Sequence, residues 1–300
     1  MRKLIPWMHA IRPKTLPLAL SSSILGSFIA AADGLFRWSV FVLAAATSLL
    51  LQVLSNLAND YGDFAKGTDT ADRIGPARMV QTGAITSRQM VWAIVAVSLM
   101  TLVSGSLLIF EGLGGGHALL KVIFFLLGLT AIGAAINYTV GKNPYGYSGF
   151  GDVFVFLFFG LLGVMGTYYL HAHMMRLDLL LPATSIGLLS AGVLNLNNLR
   201  DVNNDIKTHK HTLVVMMGSS KAKVYHLLLL VVALITGGLY IMLHYHTLYQ
   251  LLFVITILPL TLNVRAVFTN RIPAELNNEL KRLSLSTLLF SVTFGMGLLL

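Results

Sequence analysis

The sequence predicts an all-α polytopic membrane protein. Of the 300 residues, 56% are hydrophobic and only 11% are charged, and the mean hydropathy is +0.76. Stretches of about 18 or more mostly apolar residues recur along the chain, which matches the ~20 residues that a helix needs to cross a bilayer. A soluble core does not require runs of this length. The lipid bilayer is therefore the expected environment of the chain.

Nine transmembrane helices are predicted, one for each apolar run. The first run follows a basic N-terminal segment, the second and the sixth end in acidic clusters, and the last reaches the C-terminus. No long Pro-, Ser- or Gly-rich linker separates two units, so residues 1–300 are predicted to form a single membrane domain. The predicted spans are residues 16–32, 39–58, 89–110, 119–140, 152–170, 179–199, 224–243, 248–267 and 283–300.

The first span has a second interpretation. Residues 1–32 combine basic residues, an apolar stretch and the small residues Ala30, Ala31 and Ala32, which together are similar to a cleavable signal peptide. The basic segment, however, carries Pro13 and Pro17, and eight further spans follow. The sequence favours an uncleaved first helix.

The distribution of Lys and Arg predicts the orientation, because short basic loops stay on the cytoplasmic side. With the N-terminus in the cytoplasm and the C-terminus outside, all of the 21 Lys and Arg residues except Arg37, Lys121 and Arg176 fall on the inner side. The formal net charge of +9 is then a consequence of topology, and nucleic-acid binding is not needed to explain it. The absence of cysteine excludes disulfides, thiolate chemistry and Cys-ligated zinc.

Two acidic clusters follow the second and the sixth span on the predicted cytoplasmic side, and they hold half of the 12 carboxylates. Asp60 and Asp63 are spaced i, i+3, and Asp201 and Asp205 i, i+4, so each pair lies on one helix face. Oxygen ligands without Cys or His suit Mg²⁺, which completes its coordination with water and substrate phosphates. The clusters predict a Mg²⁺ site for a phosphorylated substrate.

Basic residues in the same loops are candidates for the phosphate oxygens, since Arg binds phosphate in a bidentate manner. Taken singly, any of them is also explained by topology alone. These residues are Lys66, Arg73, Arg78, Lys142, Arg200, Lys207 and Lys210.

A weak internal repeat relates the two clusters. Asn56-x-x-Asn59-Asp60 in the first half is echoed by Asn197-x-x-Arg200-Asp201 in the second. Two related helical halves that face one central cavity would produce this pattern.

Longer motifs resemble a known family. The string Asn59-Asp-Tyr-Gly-Asp63, continued by Gly67-x-Asp69 and by Arg73-x-Gly-Pro-x-Arg78-x-Val-Gln81-x-Gly83, resembles the first aspartate-rich motif of the UbiA superfamily of intramembrane prenyltransferases. It is most similar to the branch that prenylates 1,4-dihydroxy-2-naphthoate in menaquinone biosynthesis. Further matches are Arg12-Pro-Lys-Thr-Leu-Pro17, Tyr138 with Lys142, and Asn198-x-Arg200-Asp201-x-x-x-Asp205 with Lys210-x-Thr212.

The resemblance implies nine helices around a central cavity, in a bacterial cytoplasmic membrane with the active site facing the cytoplasm. It implies transfer of a polyprenyl group from polyprenyl diphosphate to 1,4-dihydroxy-2-naphthoate, with loss of CO₂ and diphosphate. The implied Mg²⁺ ligands are Asn59, Asp60, Asp63, Asp69, Asp201 and Asp205. The implied catalytic residues are Asp60, Asp63, Asp201, Asp205 and Lys142, and the implied substrate-binding residues are Asn59, Arg73, Arg78, Gln81, Tyr138, Asn198, Arg200 and Lys210. Tyr138, Tyr145, Tyr147 and Phe154 are candidates for stabilising an allylic cation through their rings.

Three other functions share parts of this sequence pattern. A prenyltransferase with 4-hydroxybenzoate as acceptor stays open within the superfamily. A cation-coupled transporter also stays open, although its charged groups are expected near the bilayer midplane. An alcohol phosphotransferase requires the pattern DxxDGxxAR, which fails here because Phe64 follows Asp63.

Overall fold

The computed structural model describes residues 4–68 and 74–300. Throughout these two ranges the chain forms helices and connecting turns, and no β-strand occurs in them. The predicted site residues Asp69 and Arg73, together with Asp72, lie outside the described residues.

The prediction of nine transmembrane spans is confirmed for this part of the chain. Nine helical spans there are long and apolar enough to cross a bilayer. The second and the sixth extend past the ends that hydropathy predicted, at 58 and 199, and polar side chains of these added turns contact the loops that follow. The spans are Ile5–Ala32, Trp38–Ala65, Ser87–Leu113, Ala118–Asn137, Gly151–Ala172, Leu177–Lys207, Ser219–Leu243, Leu248–Thr269 and Pro273–Leu299.

Several spans consist of more than one helical segment. The α-helices are α1 (Ile5–Ile11), α2 (Leu16–Ala32), α3 (Trp38–Ala65), α4 (Ser87–Leu113), α5 (Ala118–Asn137), α6 (Gly151–Val155), α7 (Thr167–Ala172), α8 (Leu180–Lys207), α9 (Leu213–Met217), α10 (Ser219–Leu243), α11 (Ile257–Thr269) and α12 (Leu276–Leu299). The 3₁₀ segments are Pro13–Thr15, Tyr145–Tyr147, Leu177–Leu179, Leu248–Thr256 and Pro273–Glu275.

Two interruptions shape the cavity described below. The first span breaks at Arg12, which has a left-handed backbone (φ 55°) and precedes Pro13. A residue before proline is disfavoured in the α conformation, and proline lacks the N–H that would continue the helix. The fifth span changes from α6 to a π-helical segment, Phe156–Gly166, before it resumes as α7.

Helix α8 is the centre of the molecule, since it packs against α10, α12 and the π-helical segment. Gly160 and Gly187 allow the last of these contacts, because a Cβ on Gly160 would lie 2.6 Å from the carbonyl oxygen of Ala183. By contrast, α4 and α5 are mostly exposed, with large apolar side chains such as Leu107 and Leu126 on the surface. We expect these exposed apolar surfaces to face the lipid.

Candidate active site

The two acidic clusters meet at one end of the helix bundle. Spans two and six run in the same direction, so the last turns of α3 and α8 lie on the same side of the membrane. There the Asn204 side-chain amide donates a hydrogen bond to the carbonyl oxygen of Thr68 (2.9 Å), and Lys210 Nζ lies 3.6 Å from Asp63 Oδ1. Residues 136 and 147 positions apart thereby form one polar site, as the repeat predicted.

Asp63 is the hub of this site. Its buried carboxylate accepts a hydrogen bond from the Tyr147 hydroxyl (2.8 Å) and forms an ion pair with the buried guanidinium of Arg78. Lys210 Nζ is 4.8 Å from the centre of the Tyr147 ring, a cation–π distance. A buried carboxylate is tolerated when it is paired and hydrogen-bonded. Asp63 therefore joins the first motif, the Tyr145–Tyr147 turn and the loop after α8.

Asp60 is bound to the backbone of the loop that carries Arg78. Its two carboxylate oxygens accept hydrogen bonds from the N–H groups of Met79 (3.0 Å) and Val80 (3.1 Å). Hydrogen bonds to a charged acceptor contribute about 1.5–3 kcal/mol each. Asp60 thus fixes the loop so that Arg78 reaches Asp63, and its role as a Mg²⁺ ligand stays a prediction.

The second motif is organised around Arg200. Its Nε donates to Asp201 Oδ1 (2.9 Å) and its Nη2 to Asp201 Oδ2 (2.5 Å), while Nη1 donates to Asn277 (2.9 Å) at the start of α12. Nη2 also donates to Asn197 (2.8 Å). Asp205 is buried two residues before α8 ends. The second motif therefore anchors the first turn of α12 as well as contributing two carboxylates.

A cavity of about 750 Å³ extends from this site into the membrane region. Its polar end is lined by Asn59, Asn197 and Arg200, and Tyr138 lines it beside them. The remaining wall is mainly apolar and includes Leu108, Ile109, Phe124, Leu127, Phe158, Phe159 and Leu162. A single space therefore joins residues of both motifs to an apolar channel.

Aromatic rings form one edge of the cavity near its polar end. The ring of Tyr138 meets that of Tyr145 edge-on (centroids 5.4 Å apart), and Tyr145 stacks on Phe154 (4.0 Å). Burial, and then the negative charge of Asp152, raises the pKa of Tyr138, and burial also raises the pKa of Tyr145. Both phenols stay protonated, so they offer ring faces rather than negative charge.

The structure separates the remaining predicted residues. Asn198 is buried on α8, whereas Lys142 and Gln81 are exposed and do not line the cavity. The backbone carbonyl of Lys142 accepts a hydrogen bond from Lys66 Nζ (3.4 Å). Thr68, Asn204 and Asn277 were not predicted as site residues. Thr68 and Asn204 stand at unspecified positions of the two motifs, and Asn277 belongs to no charged pattern.

The donor set fits Mg²⁺ in its chemistry. Asn59, Asp63, Asp201 and Asp205 offer amide and carboxylate oxygens, the ligands that this ion prefers. Across residues 4–68 and 74–300, no three His, Asp or Glu side chains are grouped closely enough to hold a metal ion. Asp63 and Asp201 are instead neutralised by Arg78 and Arg200.

Comparisons with known proteins are consistent with this architecture. Residues 19–288 match the model of the UbiA prenyltransferase family. The chain is 45% identical to the 1,4-dihydroxy-2-naphthoate octaprenyltransferase of Haemophilus influenzae, over 99% of this chain and 96% of that protein. It is 43% identical to the protein of that name from Escherichia coli, over 98% and 95% of the two chains.

Two solved structures share the fold. An apo UbiA homologue from Aeropyrum pernix K1 superimposes with a TM-score of 0.67 at 16% identity, over 97% of both chains. A digeranylgeranylglyceryl phosphate synthase superimposes with a TM-score of 0.60 at 17% identity, over 99% of both chains. The nine apolar spans found in the described residues, together with the two bacterial relatives, make the chain an integral membrane protein.

Proposed function

The chain belongs to the UbiA prenyltransferase family, and on that premise we propose that it transfers a polyprenyl group from polyprenyl diphosphate to 1,4-dihydroxy-2-naphthoate. The products are demethylmenaquinol, CO₂ and diphosphate. The proposal of this acceptor rests on the two relatives with 43% and 45% identity over nearly the whole chain, both of which carry the corresponding name.

The observation in the structure that carries the proposal is the shape and chemistry of the cavity. A polyprenyl diphosphate has a highly charged head and a long apolar tail. The cavity has a polar end built from Asn59, Asn197 and Arg200, and an apolar channel that continues from it. A head-to-tail match of this kind favours a lipid diphosphate over a small soluble substrate.

The diphosphate is proposed to bind where the two motifs meet. Arg78 and Lys210, which now contact Asp63, and Arg200, which now contacts Asp201, are the cations available to its oxygens. Arg73 is proposed to join them. Charge-assisted contacts to an anionic leaving group stabilise the charge that develops as it departs.

Mg²⁺ is proposed to be held by Asn59, Asp63, Asp201 and Asp205, with Asp60 and Asp69 as further candidates. When bound, Mg²⁺ supplies positive charge that stabilises the departing diphosphate. The carboxylates must exchange their Arg partners for the ion. The cations so released lie beside the same site and can then contact the diphosphate.

The aromatic edge is proposed to bind the nascent allylic cation. Tyr138, Tyr145 and Phe154 present ring faces in a site from which apolar walls exclude water. The allylic C–O bond breaks and diphosphate leaves with the electron pair. The electron-rich naphthoate ring then forms the new C–C bond, and its carboxylate leaves as CO₂.

The proposed location follows from the distribution of Lys and Arg and from the bacterial relatives. The excess of Lys and Arg on the side of both motifs supports an active site that faces the cytoplasm, in a bacterial cytoplasmic membrane.

The test is an assay of the purified chain in lipid with Mg²⁺, a polyprenyl diphosphate and either 1,4-dihydroxy-2-naphthoate or 4-hydroxybenzoate. Lipid products are followed by mass, and Asp63→Ala is the matched inactive variant. We expect a decarboxylated prenyl-naphthoquinol that disappears in the variant and on chelation with EDTA. Product from the benzoate alone would overturn the acceptor. Metal flux into liposomes without any prenylated product would overturn the enzyme in favour of a transporter.

A further inference from the structure

A long prenyl tail is expected to extend beyond the cavity. Its volume of about 750 Å³ lies within the ~300–1,000 Å³ typical of pockets for drug-sized ligands. A polyprenyl chain is much longer than such a ligand. If the proposed function holds, the distal part of the tail must leave the cavity and continue into the bilayer.

The fourth and the fifth span form opposite sides of the cavity and pack little against each other. Helix α5 packs on α3 and α4, whereas the π-helical segment packs on α2 and α8, and within the described chain no comparable helix packing joins the two. Both nevertheless line the cavity from opposite sides. Ring contacts bound the gap at its two ends: Phe124 stacks on Tyr169 (5.5 Å), and Tyr138 meets Tyr145 (5.4 Å).

Gly128 lies on α5 between these two ring contacts. It lines the main cavity and also a side cavity of about 40 Å³ between α3, α4 and α5. A Cβ built on Gly128 meets no atom within 4 Å, so the glycine is not required by helix packing. The absence of a side chain instead leaves space in the cavity at the position of Gly128.

Helix geometry gives the distance between Gly128 and the polar end of the cavity. Gly128 is ten residues before Tyr138, which at 1.5 Å per residue places it ~15 Å from the polar end. An isoprene unit contributes four chain bonds of ~1.5 Å, so it spans at most ~6 Å. A two-unit tail that starts beside Tyr138 stops short of Gly128, whereas an eight-unit tail passes it.

We propose that Gly128 is a specificity-determining residue for the prenyl donor, because it keeps the cavity open at a depth that only long tails reach. Short donors end before this depth and do not contact Gly128. The proposal rests on the proposed function. It adds the position along the cavity at which long donors are distinguished from short ones.

The experiment compares Gly128→Leu with Gly133→Leu in lipid nanodiscs. Gly133 is a matched control, since it also lies half-buried on α5 with nothing within 4 Å of its added Cβ, but does not line the cavity. kcat/KM is measured for geranyl diphosphate, with two isoprene units, and for octaprenyl diphosphate, with eight.

We expect Gly128→Leu to lower the ratio of long-donor to short-donor kcat/KM by about tenfold or more, while Gly133→Leu leaves the ratio unchanged. An unchanged ratio in Gly128→Leu, or an equal fall of the ratio in both variants, would overturn the proposal. If Gly128→Leu does not fold, Gly128→Ala and Gly128→Val provide the test. The proposal then requires the ratio of long-donor to short-donor kcat/KM to fall from Gly to Ala and from Ala to Val. Failure of the unmodified chain with both donors would instead refute the proposed function.

Discussion

The two ends of the molecule use the same kind of ion pair for different purposes. At the end opposite the two motifs, here called the outer end, Arg176 joins Asp33 and Asp178. At the end that carries the motifs, here called the inner end, Arg78 and Arg200 are paired with Asp63 and Asp201. Among the residues of these pairs, Arg200 alone lines the cavity. An Arg–Asp pair therefore does not identify a site by itself, and its position relative to a cavity does.

The charged groups of the outer cluster are hydrogen-bonded to one another and to tyrosine hydroxyls. The guanidinium of Arg176 donates to both oxygens of Asp33 (3.0 and 2.9 Å), to Asp178 and to the hydroxyl of Tyr240 (2.9 Å). The Tyr168 hydroxyl also donates a hydrogen bond to Asp33 Oδ2 (2.6 Å). These contacts join the ends of the first, fifth, sixth and seventh spans, so the outer cluster stabilises the bundle.

The inner cluster is built from loops and helix ends. Asp63 receives its partners from three separate segments, which approach it from the loop before α4, the Tyr145–Tyr147 turn and the loop after α8. Cations that reach a carboxylate on loops can be redirected to a substrate at little cost to helix packing. The difference between the two ends predicts that activity and stability respond to different substitutions.

The largest effect is expected from Asp63→Asn. The variant keeps the size of the side chain but removes the charge that pairs with Arg78 and is proposed to hold Mg²⁺. We expect prenyl transfer to fall by about 10²–10³-fold or more, measured as product formed per folded protein.

Asp33→Asn at the outer end is the control for that variant, since it removes a charge from a similar ion pair far from the cavity. It should keep its activity. Equal losses of activity in the two variants would remove the distinction between the ends.

A stability effect is expected from Arg176→Met, which retains most of the apolar stem. The substitution leaves Asp33 and Asp178 without their shared cation. Because the Arg176 side chain is 29% exposed, solvent screens part of the loss. We expect a destabilisation of about 2 kcal/mol, seen as a lower midpoint of thermal unfolding in detergent, with unchanged activity per folded protein. A fall in activity without a change in the midpoint would contradict this assignment.

Sequence patterns predicted the spans and the two motifs because hydropathy and charge act locally. Membrane-spanning length is imposed by the bilayer on each helix separately, so nine apolar runs were enough to predict nine spans. The pairing of the motifs was predicted from the weak repeat. Local rules did not predict the continuation of α3 and α8 past their apolar runs, where Asn204 contacts Thr68 and Asp63 contacts Lys210.

The site residues show the same limit. Asp63 and Arg78 could be predicted because charges are rare in an apolar chain, whereas Asn277 could not, since an amide near a helix start is common. The exposed positions of Lys142 and Gln81 depend on how their loops fold, which no spacing encodes.

A smaller effect is expected from Asn277→Ala. The Asn277 side chain connects α12 to the second motif. Its side-chain oxygen accepts one hydrogen bond from Arg200 Nη1 (2.9 Å). Loss of one such bond to a charged donor costs about 1.5–3 kcal/mol at most, and Asn197 and Asp201 still hold the guanidinium. We expect KM for the polyprenyl diphosphate to rise several-fold with little change in kcat. A reduced kcat at constant KM would place Asn277 in the chemical step instead.

The smallest effect is expected from Tyr138→Phe, which keeps the ring and removes the phenol. Because burial raises the pKa of Tyr138 above its usual value of about 10, the hydroxyl is protonated in both the folded and the unfolded chain between about pH 6 and 9. Ionisation of the unfolded phenol favours unfolding only above that range. The pH profile of activity should therefore be the same in the variant, with a rate change below about threefold, whereas Tyr138→Leu, which removes the ring, should lose more. An alkaline limb present in the original chain and absent from Tyr138→Phe would show that the phenolate takes part in the reaction, and would replace a ring-face role with proton transfer.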